Sequence, residues 1–123
     1  MQIFLVEDSI PVRERLVAML QTLPDTEVVG HAADAESAIE GILSSQPDLV
    51  LLDISLASGS GFDVLRTMQA QAPGIEVYML SSFAAYPYRQ LAETLGARGF
   101  FDKTHDIDRV RELVAGRAAQ PQH

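Results

Sequence analysis

Short apolar runs alternate with stretches whose apolar residues recur at helical spacing, from one end of the chain to the other. Ile3-Phe4-Leu5-Val6 is a continuous run, the pattern of a strand covered on both faces. Ser9 is placed to cap a following helix, with Pro11 tolerated in its first turn, and Val12, Leu16, Met19, Leu20 and Leu23 then keep helical spacing. Glu27 to Ala33 is a weaker strand with a glycine inside, a pattern that points to a sheet edge. Asp34 is an N-cap for a helix that buries Ala38, Ile39, Ile42 and Leu43.

Pro47 ends that connection, and Leu49 to Leu52 is the most apolar strand candidate. A serine- and glycine-containing loop follows, and Val64, Leu65, Met68 and Ala72 mark a third helix starting near Phe62. Pro73-Gly74 is a turn signal before a strand over Ile75 to Leu80. Tyr88, Leu91, Ala92 and Leu95 line one face of a fourth helix, which Gly96 ends and in which Tyr88 is expected to be core. Gly99-Phe100-Phe101 is a short fifth strand, and Ile107, Val110, Leu113 and Val114 form a fifth helix. Tyr86, flanking Pro87, suits a partner-binding surface.

Five strands alternating with five helices predict an α/β fold: a doubly wound parallel sheet with helices on both faces. No repeat or linker interrupts it, so the expectation is one domain over residues 1–117 and a frayed tail over 118–123.

Composition narrows the function. The net charge of −8 and the lack of a basic stripe argue against direct nucleic-acid binding and against anionic membranes. With no cysteine, a disulfide framework, a thiolate metal site and a cysteine nucleophile are excluded. MQIFLVED has no basic flank and only a short apolar run, so it is not a signal peptide, and cytoplasm is the default location. His31, His105 and His123 are scattered without ligand spacing.

In open parallel sheets, ligands bind beyond the carboxyl ends of the strands. Here the strand ends carry Glu7-Asp8, Asp34, Asp53, Ser81-Ser82 and Asp102-Lys103. Singly, each has an ordinary explanation, because acids and serines cap helices and open turns. Asp8 could cap the first helix in place of Ser9, and Asp34 caps the second. Asp53 fits that explanation less well, since the next helical pattern begins too far downstream to be capped by it.

Glu7, Asp8 and Asp53 meeting at one edge would repel by up to about 4 kcal/mol per close pair at an effective dielectric of about 20. Such a cluster persists only if a cation compensates or some of the carboxylates protonate, and Lys103 supplies one positive charge. All-oxygen donors favour Mg²⁺ over zinc for the rest. A carboxylate nucleophile beside Mg²⁺, a lysine and a hydroxyl is the equipment of phosphoryl transfer.

These residues resemble the response-regulator receiver domain of two-component signalling. The resemblance runs from Gln2 to about Ala115 and rests on VED, LLD, MLSS and GFFDK, each at a strand end and in order. It implies the flavodoxin-like strand order 2-1-3-4-5 and phosphorylation of Asp53 by a histidine kinase's phosphohistidine. Asp8 and Asp53 would hold Mg²⁺ together with the backbone carbonyl of Ser55, and Glu7 would act largely through water. Lys103 would pair with a phosphoryl oxygen. Ser81 matches the hydroxyl that moves to the phosphoryl group, and Phe100 the aromatic that turns inward with it.

The implied readout face is helix four, strand five and helix five. Ser55 and Phe83 occupy positions that influence phosphoryl lifetime in the family. Glu7 replaces a more frequent Asp, and Ala57 stands where Pro is frequent, which predicts a less rigid loop. Thr104 follows Lys103 where many members have Pro after a cis bond. A non-proline cis bond costs about 2.5–4 kcal/mol, so a trans Lys103–Thr104 bond is expected.

The implied partners are a sensor histidine kinase or phosphotransfer protein, then a downstream protein target or an output domain outside this chain. A phosphorylation-dependent homodimer is also compatible. The expected activity is limited to the domain's own phosphorylation and dephosphorylation. Three alternatives remain: a phosphorelay or phosphate-sink receiver, a Mg²⁺-dependent phosphohydrolase with an aspartyl nucleophile, and a degenerate receiver that only binds. The hydrolase usually carries a second acid two residues after its nucleophile, where this chain has Ser55.

Overall fold

In the computed structural model, residues 1–82 and 86–120 are described, Tyr86 for its backbone alone. Phe83, the Tyr86 side chain and residues 121–123 of the expected tail, His123 among them, lie outside the described residues. The elements alternate as β1 (Gln2–Val6), α1 (Ile10–Gln21), β2 (Glu27–Ala32), α2 (Ala35–Ser45), β3 (Leu49–Asp53), α3 (Gly61–Gln71), β4 (Glu76–Ser81), α4 (Tyr86–Thr94), β5 (Gly99–Asp102) and α5 (Ile107–Ala118). The strands form one parallel sheet in the order β2-β1-β3-β4-β5.

Side chains alternate across a strand, so each apolar run feeds two cores. Phe4, Val6, Val50, Leu52 and Met79 pack with α2, α3 and α4 on one face. Ile3, Leu5, Leu49, Leu51 and Leu80 pack with α1 and α5 on the other. β3 is buried along its whole length, which fixes its last residue, Asp53, at the carboxyl edge.

The edge strand β2 pairs with β1 through a register irregularity between Ile3 and Phe4. Its glycine has a packing reason. A Cβ on Gly30 would lie 2.8 Å from the Phe4 ring, and one on Gly41 of α2 would lie 2.6 Å from it, so Phe4 fills the space that both glycines leave.

Three helix starts shape the carboxyl edge. Ser9 Oγ accepts the Val12 amide at 3.5 Å, with Pro11 in the first turn. Ser9 is therefore the cap of α1, and Asp8 is not needed there. Asp34 Oδ1 accepts the Ser37 amide at 3.0 Å. Ser60 and Asp63 form a reciprocal capping box at α3, with Phe62 N–H to Ser60 Oγ at 3.1 Å and Ser60 N–H to Asp63 Oδ2 at 3.2 Å.

Helix α4 differs from expectation. Tyr88 is 47% exposed rather than core, and Leu91 is also exposed, while Ala92 is fully buried. The nine-residue helix turns a narrow stripe inward, and the Tyr88 ring instead stacks on Phe62 of α3 at 6.3 Å between centroids. No cis peptide bond occurs among the described residues, so Lys103–Thr104 is trans.

Candidate functional site

Four strand ends converge at one edge of the sheet. Asp53, the last residue of β3, is 1% exposed, and its Oδ2 accepts a hydrogen bond from Lys103 Nζ at 2.8 Å. Glu7 follows β1, is fully buried, and accepts from the same ammonium with both oxygens, at 3.0 and 3.1 Å. Glu7 Oε2 also takes the Ser9 amide at 3.0 Å. Asp8, exposed beside them, completes a group of three carboxylates whose nearest oxygens all lie within 4.8 Å of one another.

Burial pushes the Glu7 carboxyl up to about 7, and the Asp53 charge adds to that push. The Ser9 amide and Lys103 work the other way without cancelling it. Burial also works against the Lys103 ammonium, but its hydrogen bonds and charge attraction to Asp53 and Glu7 prevail and raise its pKa. The cation shared by the two buried acids is thus held in its protonated form, while burial favours the neutral form of Glu7.

The turn carrying Lys103 is built by its neighbours. Asp102 Oδ1 accepts the amides of Thr104 and His105 at 2.8 and 2.9 Å, which hold its carboxyl below the usual range. Asp106 Oδ2 accepts the Asp102 amide at 2.9 Å, and the Lys103 amide donates to the Ser81 carbonyl at 3.0 Å. The side chain of Lys103 is thereby aimed at the acids rather than at solvent, only a tenth of it remaining exposed.

Beyond Asp53, the Ser55 amide donates to Asp53 Oδ1 at 3.3 Å, and Ser55 pairs with Ser60 in an isolated antiparallel bridge. The loop then leans on the β2–α2 connection, with Ala57 N–H to the Ala33 carbonyl at 3.0 Å and Ala35 N–H to the Ser58 carbonyl at 2.9 Å. These bonds tether the loop that lacks Pro at position 57. Ser81, the buried last residue of β4, lines a cleft with Ser55, Ser60, Phe62 and Tyr88. Phe100 of β5 is 7% exposed and lies in the core under α2, α3 and α4.

The sequence reading passed over the role of Gly61, which opens α3. Its amide donates to the Ile54 carbonyl at 2.8 Å, and a Cβ there would run into the Asp53 carbonyl oxygen. The signal was the glycine directly after the Ser60 cap, where a helix start approaches the backbone of the preceding strand.

The response regulator receiver domain family matches residues 3–115 of the chain. The chain belongs to that family. It is 29% identical to the DNA-binding transcriptional activator DevR/DosR of Mycobacterium tuberculosis, over 96% of this chain and 59% of that protein. It is 39% identical to protein-glutamate methylesterase/protein-glutamine glutaminase 5 of Anaeromyxobacter dehalogenans, over 96% of this chain and 35% of that one. The chain thus spans less than two thirds of the length of these curated relatives.

Among solved structures, the BeF3-activated N-terminal receiver domain of Klebsiella pneumoniae RstA superposes with a TM-score of 0.86 at 28% identity, covering 98% of this chain and 100% of that one. The receiver domain of the putative response regulator NarL from Mycobacterium tuberculosis gives 0.87 at 25% identity, covering 98% and 97%. This is a response regulator receiver domain of two-component signalling, in the flavodoxin-like strand order. Among the described residues, no helix is long and apolar enough to cross a membrane. The donors of Glu7, Asp8 and Asp53 are all oxygen, a set that fits a hard cation such as Mg²⁺.

Proposed function

We propose that the domain is a phosphorylation-activated switch that accepts a phosphoryl group on Asp53. One observation carries this reading: a single ammonium, Lys103, is held at 2.8 Å from Asp53 and at 3.0 Å from Glu7, with Asp8 beside them. A carboxylate so placed can attack the phosphorus of a phosphohistidine, forming an O–P bond as the P–N bond breaks and its electron pair returns to the imidazole. Hydrolysis by water returns Asp53 and releases phosphate. Asp8, Asp53 and the Ser55 carbonyl would hold Mg²⁺, with Glu7 acting through water, and the bound ion supplies charge neutralisation during transfer.

Lys103 already sits where it can move from the carboxylate to a phosphoryl oxygen. Ser81 and Phe100 form the responding pair, and α4, β5 and α5 form the face read by a partner. That partner is a downstream protein or an output domain such as the relatives' extra length allows, and the donor is a cytoplasmic histidine kinase or phosphotransfer protein.

The test is incubation with a small acyl phosphate and Mg²⁺, followed by intact mass measurement. One added phosphoryl group, absent in Asp53→Asn, is expected. No addition from any donor favours a pure binding module, and sustained turnover of phosphate monoesters favours a hydrolase.

A further inference from the structure

Strand β5 presents two adjacent phenylalanines to opposite faces of the sheet, and an arginine covers each ring. Phe100 lies in the core under α2, α3 and α4, with the Arg89 guanidinium of α4 at 5.4 Å from its ring centroid. Phe101 lies in the core under α1 and α5, with the Arg109 guanidinium of α5 at 5.8 Å. A cation within about 6 Å of a ring face is attracted by the ring's quadrupole. Phe100 is buried in this arrangement, 7% exposed.

We propose that Arg89 is a positioning residue for the switch, holding the Phe100 ring in its buried place and so biasing the domain toward the state that takes the phosphoryl group. This rests on reading Ser81 and Phe100 as the switching pair. The contact is made with the ring in, so it favours ring-in over ring-out by up to its own worth, about two- to five-fold for a partly exposed cation–π pair. By linkage, any ligand that prefers the ring-in state gains affinity by up to the same factor. Arg109 makes the matching contact on the opposite face and serves as the internal control.

The experiment places 4-fluorophenylalanine at position 100 and reads its fluorine shift in H₂O and D₂O, a measure of ring exposure. In the same proteins it measures the affinity for beryllofluoride with Mg²⁺, a non-covalent phosphoryl stand-in. Arg89→Gln is expected to expose the ring and weaken beryllofluoride by up to two- to five-fold. Arg89→Lys, which keeps the cation, restores most of both, and Arg109→Gln changes neither. An unchanged fluorine shift in Arg89→Gln overturns the proposal, as does an equal loss of affinity in Arg109→Gln. Wild-type protein that binds no beryllofluoride overturns the phosphotransfer reading instead, and the fluorine shift then still decides whether Arg89 holds the ring.

Discussion

Lys103 Nζ lies 2.8 Å from Asp53 Oδ2 and bonds both oxygens of Glu7, so one ammonium is shared by two buried carboxylates, one just after β1 and one ending β3. Removing one partner of a buried ion pair strands the other charge, at a cost of about 3–5 kcal/mol. Lys103→Met is therefore expected to lose about 3 kcal/mol in urea unfolding without metal. Adding Glu7→Gln to it is expected to recover part of that loss, because the deeper acid is then gone. A double-mutant cycle that is simply additive would contradict the shared-cation geometry.

Glu76, at the opposite edge of the sheet, is buried where β4 begins. Arg117 Nε donates to both its oxygens at 3.1 Å, Tyr78 Oη donates at 3.1 Å, and Arg98 lies at 3.6 Å. Burial raises its pKa, but the hydrogen bonds of Arg117 and Tyr78 and the charges of Arg117 and Arg98 outweigh burial and bring it below the ordinary value. A lowered folded pKa stabilises the fold above the unfolded carboxylate's pKa, about 4.3, and that contribution fades as pH falls through the folded value. Glu76→Gln should cost about 2 kcal/mol at pH 7, the worth of hydrogen bonds to a charged group. In denaturant unfolding the gap to wild type should narrow below pH 4.

Gly61 is expected to be intolerant of a side chain. Gly61→Ala would press its Cβ on the Asp53 carbonyl, and relief requires moving either the helix start or the Asp53 backbone. Overpacking of this kind costs about 1–3 kcal/mol. Slower phosphoryl uptake by a still folded variant, read by mass and circular dichroism together, is the expected outcome. Uptake at the wild-type rate would show that the loop absorbs the extra methyl.

Much of this architecture is legible in the chain because periodicity reports burial. Leu49 to Leu52 reads as a strand buried on both faces, and Asp53 then has to stand at its carboxyl end, as it does. Asp34 and Ser9 read as caps because their side chains bond amides three residues on, a local relation. The strand order came from the family resemblance, since alternation alone does not choose neighbours. Tyr88 was misplaced because spacing identifies an apolar face but not how deeply a short helix seats it, and its ring found Phe62 instead. Glu76 was passed over because its partners Arg98 and Arg117 are distant in sequence, and a charge at a strand start looks solvated until they arrive. The two arginines over Phe100 and Phe101 are equally invisible, being set by how α4 and α5 cross β5.

The central claim is that Asp53, and no other side chain, takes the phosphoryl group. Borohydride reduces an aspartyl phosphate to the alcohol, which marks the acceptor in peptide mapping. After treatment with a small acyl phosphate and Mg²⁺, the reduced residue is predicted at position 53 alone. A mark elsewhere, or a phosphoryl group resting on His31, His105, Ser55 or Ser81 with Asp53 unchanged, would contradict it.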